Sequence, residues 1–334
     1  MDSSFILTAC GKNINRFKIK RLEIKMCIIY FIVLRMRLSK ISIITILSLV
    51  LLYIFWGSEF FVVKLAVVSI PPFLLAAINA LLGGFILFVF TAGKGEMTPK
   101  PVDFKFTFLS GFLLVFASAG LMPLTIKYID SGLVALLYGL SPVISVTLEW
   151  LLLKKGRPNL LTMAGLMLGF SGLAFTIIPA VGKNATISLT GVALGIISAV
   201  IWSIGVLATR HARYTVSLLS RNSLQLLFGG VFLLAMTFIL NEWRGFSLFS
   251  LPWQTYLYIL YLVFCSTLVG YTAYLWLLKN STLPIASSTA YVCPLIAVIV
   301  GITFGGELFN RYTATAVICI VVSMIFIVNG GIRK

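Results

Sequence analysis

A carboxylate, Glu59, stands about 18 residues into an apolar run near 41–66, where a charge costs roughly 2.5–3.5 kcal/mol on insertion scales. Such a group must face a cavity or a partner. In a cavity it would act as counter-ion to a cationic group or as a proton-coupling site. Against a neighbour it would pair with Lys64. Trp56 and Ser58 flank it, and Trp202 and Ser203 repeat that pairing far along the chain. An indole offers a rigid apolar wall and a cation–π platform, or simply packs or sits at the membrane interface. Asn79 and Gln225 are polar amides inside apolar runs, suited to a substrate or to hydrogen bonds between helices. Pro142 and Pro294 each interrupt a helix and would expose a carbonyl or provide a hinge. Tyr138 and Tyr291, close to those prolines, would bring hydroxyls or ordinary packing. Glu149, beside Lys154 and Lys155, reads as a side chain reaching back to the interface.

No catalytic constellation accompanies these residues. The one histidine, His211, sits among Arg210 and Arg213 in a charged gap, and Glu59 and Glu149 fall toward opposite faces, too far apart for an acid–base pair. Cys10, Cys27, Cys265, Cys293 and Cys319 contain no CxxC spacing, so neither a metal site nor a disulfide framework is expected. No nucleotide-binding loop is present either, so no cofactor and no direct ATP drive are expected.

The elements that must hold these groups are set by hydropathy. The 334 residues are 60% hydrophobic and 10% charged, with mean hydropathy +1.08. A water-facing domain carries about 25% charged residues; this surface suits a lipid bilayer. Apolar runs of about 20 residues, enough to cross the hydrocarbon core, fall near 41–66, 72–92, 104–126, 132–153 and 160–180. Five more fall near 187–209, 217–240, 254–278, 284–305 and 311–330.

The net charge of +17 argues for orientation rather than for nucleic acid. Nine of the 26 basic residues precede residue 41, and most others collect in alternate gaps between runs. With the N-terminus cytoplasmic, the inside segments hold 20 and the outside gaps five: Lys64, Lys127, Lys183, Arg244 and Arg311. Both termini are therefore expected in the cytoplasm. Residues 1–35 form a basic extension whose apolar stretch, Met26 to Leu34, is too short to span. It reads as a short interfacial tail or as sequence upstream of a natural start at Met36.

A shift of 146 residues aligns Trp56 with Trp202, Lys64 with Arg210, Asn79 with Gln225, and Gly83-Gly84 with Gly229-Gly230; a shift of 152 aligns Pro142 with Pro294. An ordered series of this kind points to duplication. Five spans per copy is an odd number, so the second copy enters from the opposite side. The expected fold is an all-α integral membrane protein of ten transmembrane helices, built as two inverted five-helix repeats over 36–182 and 183–334. Inverted repeats are common among secondary transporters, with the small-molecule site near the midplane between the halves. A non-transporting scaffold, a membrane enzyme and a channel are the competing classes.

The segment Tyr53-Ile-Phe-Trp56-Gly57-Ser58, then Lys64 and Pro71-Pro72, resembles the opening of EamA-type permeases of the drug/metabolite transporter superfamily. Ile285 to Pro294 and Gly305-Gly306-Glu307 are similar to the matching part of that family's second repeat. The resemblance implies ten helices, a bacterial inner membrane, and export of amino acids or other small metabolites by alternating access, with uptake as the alternative. Three positions depart from the pattern. Glu59 replaces a small residue, Asn79 stands where Arg is common, and Lys154-Lys155 stands where the first repeat has Gly-Glu.

Overall fold

The computed structural model describes residues 43–129, 131–153, 159–181 and 188–304, with 314–315, 318–319, 322–323 and 325–326. The basic extension 1–35, Lys154, Lys155, Glu307 and most of the expected tenth span lie outside them. Ile44–Lys334 is one compact unit, and the packing and the site described below lie within it.

Among the described residues every regular element is a helix, with no strand. In chain order the helices are α1 Ile43–Ala66, α2 Pro72–Gly93, α3 Pro101–Tyr128, α4 Ser131–Tyr138, α5 Ser141–Leu153, α6 Leu160–Val181, α7 Leu189–His211, α8 Leu218–Ile239, α9 Trp253–Asn280, α10 Leu283–Ser287 and α11 Thr289–Phe304. Six of them (α1, α2, α3, α7, α8 and α9) are long and apolar enough to cross a membrane, and shorter apolar stretches cover 141–152, 160–172 and 285–297. Large apolar side chains such as Phe85, Phe108, Leu257 and Phe264 face outward, which water would penalise and lipid does not. Tyr128, Trp243, Trp253 and Tyr256 are exposed near helix ends, where amphipathic rings favour the headgroup level.

The duplication is visible in the helix boundaries. A shift of 146 carries α2 onto α8 end for end, and a shift of 152 carries α3 onto α9 end for end. It is visible again in the packing. The most extensive helix contact joins α2 to α8. A Cβ on Gly84 would lie 3.0 Å from the Leu227 backbone nitrogen, and one on Gly230 would lie 3.2 Å from the Leu81 backbone nitrogen. Gly83 packs on Thr267, and Gly229 packs on Val115. Under the two shifts, each of these contacts is the other with the repeats exchanged, as a pseudo-two-fold axis requires. Glycine is needed here because only a missing side chain lets the backbones approach so closely.

Both α3 and α9 change to π-helix midway, over Gly111–Ala119 and Leu262–Tyr271. The wider i→i+5 turn is rare and collects at functional sites. Here it brings the adjacent pairs Leu114-Val115 and Ser266-Thr267 to one cavity-facing side. The helix ends are tied across the repeats. Glu242 accepts bonds from the Leu74 N–H at 2.9 Å and the Phe73 N–H at 3.4 Å, satisfying free donors in the first turn of α2. Its repeat counterpart, Glu96, accepts the Ser220 hydroxyl on its carbonyl in the first turn of α8. Asp103 accepts from the N–H groups of Lys100 at 2.9 Å and Thr215 at 2.7 Å and from the Thr215 hydroxyl.

One expectation about the prolines changes and the other stands. Pro142 does not kink a continuous helix; it is the second residue of α5, after α4 stops at Tyr138, a position where its missing N–H costs nothing. Pro294 does lie inside α11, and it removes the bond to the carbonyl of Ala290.

Gly111→Ala should lower stability in detergent by about 1–3 kcal/mol, since its Cβ would sit 2.5 Å from the Gln225 carbonyl oxygen, a backbone atom with little room to yield. Gly93→Ala, with nothing within 4 Å, should leave the thermal midpoint near wild type. Equal melting of the two variants would contradict the close crossing.

Candidate functional site

A cavity of about 150 Å³ opens between the repeats, a size that accepts a benzene-sized group. Its floor is aromatic. The indoles of Trp56 and Trp202 meet at 5.7 Å between centroids and 72° between planes. As repeat counterparts in mutual contact, they mark the pseudo-two-fold axis. Tyr274 packs against both, at 4.9 Å and 5.4 Å, and Tyr271 stacks on Trp56 at 6.5 Å. The Trp56 Nε1–H donates to the Ser266 carbonyl at 3.3 Å, and Gly270 leaves room for that ring, because a Cβ there would lie 2.8 Å from Nε1.

Glu59 is the one charged side chain among the lining residues. Its carboxyl has the Ser266 side chain as hydrogen-bonding neighbour across the cavity wall. Asn79 also lines the cavity and accepts the Thr267 hydroxyl at 2.9 Å. Tyr138 contributes its ring, packed edge-on to Phe60 at 6.1 Å. Its hydroxyl is taken by Ser198 at 2.5 Å and the Ser118 carbonyl at 3.1 Å, so the ring and not the hydroxyl faces the cavity. Pro294 and Ala290 line it as well.

The other expected site residues lie elsewhere. Ser58 bonds the Ile54 carbonyl at 2.6 Å and the Tyr261 hydroxyl at 2.5 Å, joining α1 to α9. Ser203 donates to the carbonyls of Ala199 at 2.8 Å and Ser141 at 3.1 Å, holding α7 to the start of α5. Gln225 donates to Ser110 at 2.5 Å and receives Tyr271 at 3.4 Å, an interhelical role. Tyr291 is fully buried against Gly169. Each is a sequence neighbour of a lining residue or its repeat counterpart, but one helical residue is a turn of about 100°. Ser266, Tyr271 and Tyr274 escape a reading of the sequence, since the π segment breaks the usual helical period.

Glu149 does not reach back to the interface. It is 6% exposed and faces His211 Nε2 at 3.3 Å and Arg210 Nε at 3.9 Å. Arg210 also donates to the carbonyls of Leu278 at 2.8 Å and Ser281 at 3.1 Å, so this cluster clamps α5, α7 and the end of α9 together. His211 is the last residue of α7 rather than part of a loop. Among the described residues no group of acidic, histidine or cysteine side chains could hold a metal ion.

Residues 43–178 and again 189–329 match the EamA-like transporter family. The chain is 27% identical over 285 residues to the uncharacterized inner membrane transporter YedA of Escherichia coli, covering 85% of this chain and 90% of that protein. It is 28% identical over 283 residues to the uncharacterized transporter YvbV of Bacillus subtilis, covering 84% and 90%. One crystal structure shares the fold with a TM-score of 0.65 at 18% identity, over 85% of this chain and 95% of that one.

Glu149→Ala should destabilise the protein by on the order of 2–3 kcal/mol, because it leaves Arg210 and His211 without their carboxylate. The thermal midpoint in detergent measures this; a variant melting with wild type would return Glu149 to the interface.

Proposed function

Because the chain belongs to the EamA-like transporter family, we propose that it is a secondary transporter that exports a small amphipathic metabolite, such as an amino acid, from a bacterial cytoplasm by alternating access. The observation that carries this reading is the position of the cavity on the pseudo-two-fold axis, floored by the counterparts Trp56 and Trp202. Two like halves around one site can exchange conformations and turn it from one face to the other.

With both termini cytoplasmic and the repeats inverted, Glu59, Phe60, Val63 and Leu75 belong to the outer half of the protein. The Glu149–Arg210–His211 cluster and the Asp103–Thr215 bonds then close the inner end, so this conformation is sealed toward the cytoplasm. The aromatic floor suits the apolar part of a cargo, and Glu59 suits its cationic part. A proton and a cationic cargo competing for the one carboxylate would couple outward cargo flow to inward proton flow.

Metabolites inside cells and in the medium, compared for wild type, empty vector and Glu59→Gln, test this reading. The expected result is one class of compound that leaves cells only with wild type. If Glu59→Gln exports as well as wild type, the carboxylate has no part in transport; if a membrane-inserted wild type moves nothing outward, export is wrong.

A further inference from the structure

One basic residue belongs to none of the gaps between spans. Arg221 lies in the first turn of α8 and is 5% exposed. Its guanidinium rests over the Tyr214 ring at 4.5 Å. Among the described residues no carboxylate pairs with it, and its Nε and Nη2 have no hydrogen-bond partner. The Asn222 Oδ1, the Thr209 hydroxyl and the Tyr214 hydroxyl are likewise buried and unpartnered, although the Asn222 amide nitrogen bonds Thr272 at 2.7 Å. Buried polar groups are almost always paired, and a buried cation without a counter-charge is costly. Four such groups, at the end of α7, in the loop after it and in the first turns of α8, call for a physical reason.

The repeat supplies one. A shift of 146 carries the cavity-lining residues Val63, Leu75 and Ala76 onto Thr209, Arg221 and Asn222. If the halves exchange conformations, residues that line the cavity on one face hand over to their counterparts on the other. Three of the four unpartnered residues, Thr209, Arg221 and Asn222, are thus ones that would line the opposite-facing cavity. We propose that Thr209, Arg221 and Asn222 form a carboxylate-binding vestibule on the inner face, buried in this conformation and opened in the other. This rests on the alternating-access reading above and adds a cargo class to it. The outer wall at these positions is apolar, whereas the inner wall offers a guanidinium, whose planar fork matches a carboxylate, next to an amide and a hydroxyl. Tyr271 links the two regions: it stacks on Trp56 in the cavity and is an electrostatic neighbour of Arg221 and Tyr214. A cargo entering from the inside would thus meet its anionic site first and Glu59 later, as a zwitterion or an aromatic acid with a basic group would suit.

The test uses Thr209→Cys, a near-isosteric reporter, in the full chain with its five native cysteines replaced by alanine. Modification by a membrane-impermeant maleimide is followed in vesicles of both orientations, with benzoate or benzylammonium at equal ionic strength. Thr209→Cys should react from the inner face, and benzoate should slow the reaction by about tenfold, the scale of one charge-assisted hydrogen bond. Benzylammonium should not slow it. Protection should vanish with Arg221→Gln and return in part with Arg221→Lys, which keeps the charge. No reaction from the inner face would overturn both the vestibule and the alternating-access reading. Reaction without benzoate protection, or with protection that survives Arg221→Gln, would overturn the carboxylate site and leave transport standing.

Discussion

Four glycines set the geometry on which everything else depends. Gly83 and Gly84 on α2 and Gly229 and Gly230 on α8 remove the side chains that would hold the two helices apart. In a bilayer, lipid tails solvate apolar helix faces as well as protein does, so association relies on close packing and hydrogen bonds. The close crossing supplies the first, and the Ser223 hydroxyl, bonded to the Gly84 carbonyl at 3.0 Å, supplies one of the second. Once α2 and α8 are locked, the π segments of α3 and α9 fall on either side of them, and the space left over becomes the cavity.

The frame is symmetric, but the chemistry placed on it is not. Glu59 and Ser266 face one another in the cavity wall. Their counterparts are Gly205 and Leu114, which also touch: a Cβ on Gly205 would lie 2.6 Å from a Leu114 methyl. Tyr271 and Tyr274 correspond to Ala119 and Met122. A polar pair on one side is thus an apolar contact on the other, and two tyrosine rings on one side are an alanine and a methionine on the other. Duplication provides two equivalent walls, and substitution has divided the work between them. Among the described residues, Glu59 is the one charged group in the cavity lining and Arg221 is a buried guanidinium outside it, an asymmetry that identical halves would lack.

Six of the ten expected spans and the repeat were legible in the sequence because both rest on long-range regularities, twenty-residue hydropathy and a fixed register shift. Trp56, Asn79 and Trp202 were legible as polar or aromatic groups at paired positions within spans, and Glu59 as a lone carboxylate inside one. Ser58, Ser203 and Tyr291 were placed by adjacency, and a helix turns adjacent residues to different faces. Ser266, Tyr271 and Tyr274 were hidden because a π segment has its own period. Glu149 looked like an interface residue because lysines follow it in the chain; its partners, Arg210 and His211, come from another helix. Arg221 escaped a count of loop charges by lying inside a span, and its meaning appears only when the repeat is laid over the cavity.

The proposed alternating access requires the two faces to open in turn. Spin labels at Val68 and Phe249, exposed at 83% and 93% on one predicted face, and at Lys94 and Lys279, exposed on the other, report the two ends as separate pairs, each joining one repeat to the other. Pulsed electron resonance distances in lipid nanodiscs, taken across a pH series, should resolve two populations for each pair, with the outer distance shortening as the inner one lengthens. A single unchanging distance at both ends, or two ends that widen together as in an open channel, would contradict the account.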